Sequence, residues 1–186
     1  MAAFVCGGGG DMVSVYTDGA CSRNGQDGAK AGVGVWFGTD DHPDNIGIPL
    51  RTLWPLGGQT NQRAELAAIH LALSIVTERD TEAAEADVDS MVIYSDSTYA
   101  INCLSTWIQG WRRRGWRNSH GRPVSNRDII EPTAELLAAL DAKLKGGVRF
   151  VHVRGHSGIR GNEAADVLAR FGAKSASANL DDPGHL

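Results

Sequence analysis

A chain of 186 residues with 42% hydrophobic and 22% charged side chains has the balance of one globular domain, able to bury about 70% of its unfolded surface. That composition excludes a disulfide-stapled miniprotein and a disordered or collagen-like chain. The formal net charge of −4 conceals a division: residues 107–127 hold Arg112, Arg113, Arg114, Arg117, Arg122 and Arg127 with no Asp or Glu, so this window is +6 and the remainder −10.

Phosphate binding needs clustered cations, and here one basic patch sits on an acidic body. No run approaches the ~20 apolar residues of a membrane span. The first ten residues, MAAFVCGGGG, match neither a secretory signal nor a transit peptide. Cys6, Cys21 and Cys103 are an odd number without CxxC spacing, which argues against a disulfide framework and a Cys-built zinc site. The expectation is a monomer with no membrane partner in a reducing, intracellular compartment, cytoplasmic or nuclear. Residues 1–12 read as a tail, 13–174 as the folded domain and 175–186 as a second tail.

In chain order, MVSVYTD (12–18) alternates as a strand, GACSRNGQDG (19–28) is dense in turn residues, and AGVGVWF (31–37) completes a hairpin. NIGIPL within residues 38–60 forms a short third strand. Thr60 and Asn61 offer cap chemistry for a helix whose Leu66, Ile69, Leu73 and Val76 form one buried stripe. A polar connection, 78–89, leads into the strand SMVIYSD (90–96) and a short helix over 97–109. After the basic, Trp-rich segment comes a helix through Ile129, Leu136, Leu137, Leu140 and Leu144, which Pro132 kinks or begins. A last strand covers 146–155 and a last helix 161–174, with Asn162 near its cap. The order βββαβααβα predicts an α/β fold, a mixed sheet packed by helices.

Two strands end alike, Tyr16-Thr17-Asp18 and Tyr94-Ser95-Asp96. If the helix between them is a crossover, the strands are parallel and both carboxylates emerge at one sheet end. Asp18 beginning a turn and Asp96 capping a helix are the plainer alternatives. Glu65 lies early in the helix that follows residue 60, near the sheet end, and Asp166 either joins the group or pairs with Arg170 at i,i+4 on a solvent face.

Taken together, YTDGAC (16–21), QTNQRAEL (59–66), YSDS (94–97) and VRGHSGIRGNEAAD (153–166) resemble the motifs of type 1 ribonuclease H, in order and over about residues 13–174. The resemblance implies the RNase H-like fold, a five-stranded mixed sheet flanked by helices with a basic Trp-rich protrusion. It also implies cleavage of the RNA strand of an RNA/DNA hybrid. The family's metal-binding acids fall on Asp18, Glu65, Asp96 and Asp166. Four converging carboxylates repel without a cation, and Mg²⁺ prefers such hard oxygens. Two Mg²⁺ ions are therefore expected with substrate, Mn²⁺ being able to substitute. In-line attack by water then leaves 5′-phosphate and 3′-hydroxyl ends. His156, in the Gly-flanked RGHSG loop, matches a family position suited to proton transfer or product release.

For the RNA strand the resemblance implies Asn24 and Gln62, whose amides suit a 2′-hydroxyl. For the DNA strand it implies Trp111 in the channel and Thr60 and Asn126 in a phosphate pocket. Asn61 and Trp107 are assigned to the DNA side, and Arg112, Arg113, Arg114 and Arg117 to the basic protrusion. Trp107 and Trp111, four apart, also suit packing of a helix on the core, so the indoles are expected to divide between anchoring and binding. One departure stands out: Gly58 occupies the place where animal-type members usually carry Arg, which weakens the pocket unless another arginine such as Arg51 takes that place in space.

Rival readings are an RNase H-fold nuclease acting on another nucleic acid, a catalytically silent hybrid-binding module, and a phosphate-transferring enzyme with Asp18 as nucleophile. The Gly run at 7–10 lacks the G-x-x-x-x-G-K-[ST] pattern of a P-loop.

Overall fold

The computed structural model describes residues 11–82 and 88–176. Five strands, β1 (Asp11–Ser22), β2 (Lys30–Trp36), β3 (Ile46–Pro49), β4 (Val88–Ser95) and β5 (Val148–His152), form one sheet in the order β3-β2-β1-β4-β5. The first three are antiparallel, joined by short turns. β4 and β5 run parallel to β1, so each must be reached through a helical crossover. This is the expected mixed α/β sheet.

Helices cover both faces: α1 (Leu50–Leu53), α2 (Asn61–Glu82), α3 (Thr98–Asn102), α4 (Ile108–Arg113), α5 (Arg127–Lys143) and α6 (Arg160–Ser175). On one face the predicted stripe of α2, Leu66, Ile69, Leu73 and Val76, is buried against Val15, Met91 and Ile93 of the sheet and Ile129 and Ile130 of α5. Each such side chain contributes about 2 kcal/mol of burial. On the other face α6 alone lies across β1, β2 and β3.

Several boundaries differ from expectation. β1 continues four residues past Asp18, because Gly19 to Ser22 still pair with Val33 to Lys30, and the turn shrinks to the residues after Ser22. The expected tail over 1–12 thus loses Asp11 and Met12 to β1. Residues 1–10 and 177–186 lie outside the described residues, as do 83–87 of the expected polar connection. α2 runs on to Glu82 beyond its buried stripe, and α1 is additional to the predicted elements. The helix expected over 97–109 reaches Arg113 and contains one π turn, Cys103–Trp107. Pro132 does not begin α5, which starts five residues earlier and carries it inside. β5 is shorter than predicted at both ends.

Candidate active site

The parallel ladder between β1 and β4 closes at Tyr16 opposite Tyr94, whose rings stack with centroids 4.5 Å apart. Asp18 and Asp96 each lie two residues beyond that pair, so both carboxylates leave the sheet at the same level, as the repeated Tyr-x-Asp pattern predicts. Asp18 is not at the end of its strand. It sits where β4 stops and β1 continues with β2 alone.

Two missing side chains bring the other acids in. A Cβ on Gly19 would stand 2.2 Å from the Glu65 backbone nitrogen, so only glycine lets the first turns of α2 lie on β1 beside Asp18. On the opposite face Gly34, the cross-strand partner of Asp18, faces α6 so closely that a Cβ would stand 2.1 Å from the Ala165 carbonyl oxygen. The next residue of α6 is Asp166.

Electrostatics record this assembly. The Asp18 carboxyl is raised to about 7, by burial first and by the charge of Asp96 next, with Asp166 and Glu65 adding to it and a hydrogen bond from the Gly19 N–H opposing it. Glu65 is also raised, chiefly by burial. Its oxygens accept hydrogen bonds from Asn61 Nδ2 at 2.7 Å and Ser97 Oγ at 2.5 Å. Asp96 accepts from Asn162 Nδ2 at 3.0 Å, and Asp166 pairs with Arg170 at 2.9 Å.

The plainer alternatives are therefore answered individually. Ser97, not Asp96, caps α3 by accepting from the Ala100 N–H. Asp166 makes the i,i+4 pair and faces Asp18 as well. Each acid is held by its own partner, and among the described residues no three His, Cys, Asp or Glu side chains stand as a ready chelating group. The donor set nevertheless fits a hard divalent cation: four oxygen-donor carboxylates gathered at one sheet end, where burial first and the charge of Asp96 next raise Asp18 to about 7.

His156 sits exposed at φ +51 in the loop between β5 and α6. That loop passes Asp96 closely, since a Cβ on Gly155 would stand 2.6 Å from Asp96 Oδ2. Asn24, exposed in the β1–β2 turn, accepts a hydrogen bond from the Asn61 N–H at 3.2 Å, which ties that turn to the start of α2 where Gln62 is also exposed. Asn61 thus serves Glu65 and Asn24, and its side chain points to the acids.

Thr60 caps α2 by accepting from the Arg63 N–H. Buried Arg63 binds Asp128 through two hydrogen bonds of 2.9 and 2.7 Å, joining the first turn of α2 to that of α5. Thr60 and Asn126, each preceding one of these helices, are brought to the same end by that bridge. Asn126 has φ +60 and donates to the Tyr99 hydroxyl at 2.9 Å. Arg51 lies in α1, and beside Gly58 a Cβ would meet only Thr60 Cγ2, at 3.9 Å.

The indoles differ in burial. Trp116 is buried under the Arg127 guanidinium. Trp107 is 39% exposed, and with Trp111 it walls a cavity of about 450 Å³ shared with Arg113 and Arg114. Arg112 and Arg113 end α4 in solvent. Arg114 and Arg117 depart from a purely ligand-facing role, because they donate to the carbonyls of Arg117 and Gly121 and so brace the protrusion itself.

Asn162 and Ser97 hold two of the acids by hydrogen bonds that sequence pattern does not single out. Asn162 is the third residue of α6, not its cap, and is 2% exposed. Its place in the GNEAAD stretch that carries Asp166 is the available signal, but a polar residue early in a helix reads first as local capping.

Comparison with known proteins matches residues 10–174 to RNase H. Ribonuclease H1 of Rattus norvegicus is 43% identical over 167 residues, 90% of this chain and 52% of that protein, and Ribonuclease H1 of Homo sapiens is 42% identical over the same shares. The chain spans about half the length of these relatives. A Ribonuclease H of Cyanothece sp. is 34% identical, with 91% of this chain and 94% of that one covered. Among solved structures, LC11-RNase H1 in complex with RNA/DNA hybrid superposes with a TM-score of 0.54 at 19% identity, covering 88% of this chain and 98% of that one. The foamy viral protease-reverse transcriptase in complex with RNA/DNA hybrid gives 0.66 at 21%, covering 88% and 20%.

Proposed function

The chain belongs to the RNase H family, and on that premise we propose that it is an endonuclease hydrolysing the RNA strand of RNA/DNA hybrids. The observation that carries this reading is the Asp18 carboxyl, buried among Asp96, Asp166 and Glu65 at one end of the sheet. These four acids hold divalent cations, Mg²⁺ first and Mn²⁺ in its place, two with substrate. When bound, such ions supply positive charge to the attacking and leaving oxygens of the scissile phosphate.

The remaining work belongs to the chain. Asn162 and Ser97 orient Asp96 and Glu65. His156, on its exposed loop beside Asp96, moves a proton to the departing 3′ oxygen. Asn24 and Gln62 meet 2′-hydroxyls of the RNA strand, while Trp107, Trp111, Thr60 and Asn126 take the DNA strand and Arg112 and Arg113 its phosphates. The products carry 5′-phosphate and 3′-hydroxyl ends.

A monomer suffices for this reading, since every group named comes from one chain. Free thiols at Cys21 and Cys103 fit a reducing cytoplasmic or nuclear compartment. Among the described residues no helix is long and apolar enough to cross a membrane.

The test is incubation with labelled RNA/DNA hybrid, double-stranded RNA, single-stranded RNA and duplex DNA, with Mg²⁺ or with EDTA. RNA lost only from the hybrid and only with metal is the expected result. Asp96→Asn should stop cleavage and leave hybrid binding measurable. Turnover retained in that variant rejects the metal-holding role, and binding without any cleavage by the wild type makes the chain a silent hybrid-binding module.

A further inference from the structure

A cavity of about 490 Å³ opens beyond Asp18 on the α6 face of the sheet, and every charged residue lining it is basic: Arg23, Lys30, Arg170 and Lys174. These come from the β1–β2 turn, the start of β2 and two successive turns of the exposed side of α6. Small residues, Ala20 and Ala173 among them, keep the hollow open. On a chain that is −10 outside residues 107–127, this is a second concentration of positive charge. It lies across the sheet from the Trp-rich segment, which continues from helices packed with α2.

The cavity adjoins the acids directly. Arg170 Nε binds Asp166 at 2.9 Å, so one side chain belongs to both places. Arg23 immediately precedes Asn24, whose side chain is joined to Asn61. A strand leaving the carboxylates past Asn24 therefore meets Arg23 next.

We propose that this cavity binds the phosphodiester backbone of the RNA strand, extending the substrate track beyond the cleavage site on the face opposite the protrusion. The inference rests on the function proposed above. The RNA strand is assigned because the lining residue Arg23 immediately precedes Asn24 and the lining residue Arg170 pairs with Asp166, whereas the Trp-rich DNA side is on the other face. A free phosphate ion carries the same chemistry, and the experiment separates the two.

Arg23→Gln and Lys174→Gln, singly and together, with Lys174→Glu as a charge reversal, change exposed side chains and leave Arg170 on Asp166. Thermal melts establish that each variant is folded. Hybrid binding is then measured in EDTA over a salt series, for wild type and variants side by side. The double variant should bind a long hybrid about tenfold more weakly at low salt, with the slope of log K against log salt reduced by about 0.9 for each phosphate no longer neutralised. Its kcat with metal at saturating substrate should equal that of the wild type. Uncharged methylphosphonate linkages in the RNA strand should abolish the difference between wild type and variant.

Equal affinity and slope in wild type and double variant overturn the proposal. Methylphosphonates that abolish the difference only from the DNA strand overturn the strand assignment. Millimolar inorganic phosphate that abolishes it gives the cavity to a small anion and overturns the RNA assignment. A wild-type chain that binds no hybrid at all overturns the functional reading as well, so the two failures are distinguishable.

Discussion

The side-chain amide of Asn162 donates to the Asp96 carboxylate at 3.0 Å, joining the start of α6 to the end of β4. The other polar atom of Asn162, its Oδ1, is buried without a hydrogen-bond partner among the described residues, an arrangement tolerated where orientation of a neighbour matters more than full satisfaction. Asn162 is thus a positioning residue for Asp96.

Asn162→Leu removes both polar atoms at similar volume. A hydrogen bond to a charged group contributes about 1.5–3 kcal/mol, so kcat should fall by roughly 10- to 100-fold with KM for the hybrid little changed and the melting temperature near that of the wild type. A parallel rise in KM would move Asn162 from orienting an acid to binding substrate. Steady-state kinetics on labelled hybrid read the two apart.

Asp18 makes stability depend on pH in a definite direction. Its carboxyl is raised from 3.8 to about 7 in the folded chain, chiefly by burial and by Asp96. The folded state therefore holds a proton that the unfolded state gives up. That contribution is complete below the unfolded value and is lost as pH rises through about 7. In EDTA, Asp18→Asn should be more stable than the wild type at pH above 7, by an amount on the order of a few kcal/mol at most, and the gap should close toward acid pH. Mg²⁺ should raise the melting temperature of the wild type at high pH and leave Asp18→Asn nearly unmoved. Urea melts across pH, with and without metal, test both statements.

The protrusion arginines should separate into two classes. Arg112 and Arg113 end α4 exposed, without an ion-pair partner among the described residues. Replacing both with Ala should raise KM several-fold and lower the salt slope by about 0.9 per phosphate, with no change in melting temperature. Arg114→Ala and Arg117→Ala remove bonds to the carbonyls of Arg117 and Gly121, and amide hydrogen exchange in residues 114–123 should speed up in these variants alone.

A Cβ on Gly58 would make only an ordinary van der Waals contact, with Thr60 Cγ2 at 3.9 Å, and its φ is not in the left-handed region. Gly58→Arg should fold unchanged and place a guanidinium near Thr60. The expected outcome is a several-fold lower KM for hybrid at unchanged kcat, lost again in Thr60→Ala if the two share one phosphate. An unchanged KM would mean that another cation already serves the DNA strand there.

Local pattern makes much of this molecule legible in its sequence. The i,i+3/i+4 stripe of α2 and the alternation through β1 and β4 report which face of each element is apolar, and Leu66, Ile69, Leu73 and Val15 are buried accordingly. The paired Tyr-x-Asp endings locate Asp18 and Asp96 because strand register converts equal spacing into equal height. The ends of elements are less legible. β1 outlasts its turn-like letters since pairing with β2 outweighs local preference, and α5 accepts Pro132 since its buried face is already specified by Ile129, Ile130 and Leu140.

The amino-acid order by itself therefore determined the five strands and the longer helices in their sequence, though not α1, and the four acids with the motifs around them. Tertiary structure alone decided that Gly19 admits Glu65 and Gly34 admits Asp166, that Arg63 reaches Asp128, that Asn162 finds Asp96, and that Arg23, Lys30, Arg170 and Lys174 share one hollow. The reason is physical: periodicity and capping act over a few residues, whereas these relationships join positions far apart in the chain, and they exist only once close packing has set which backbones approach.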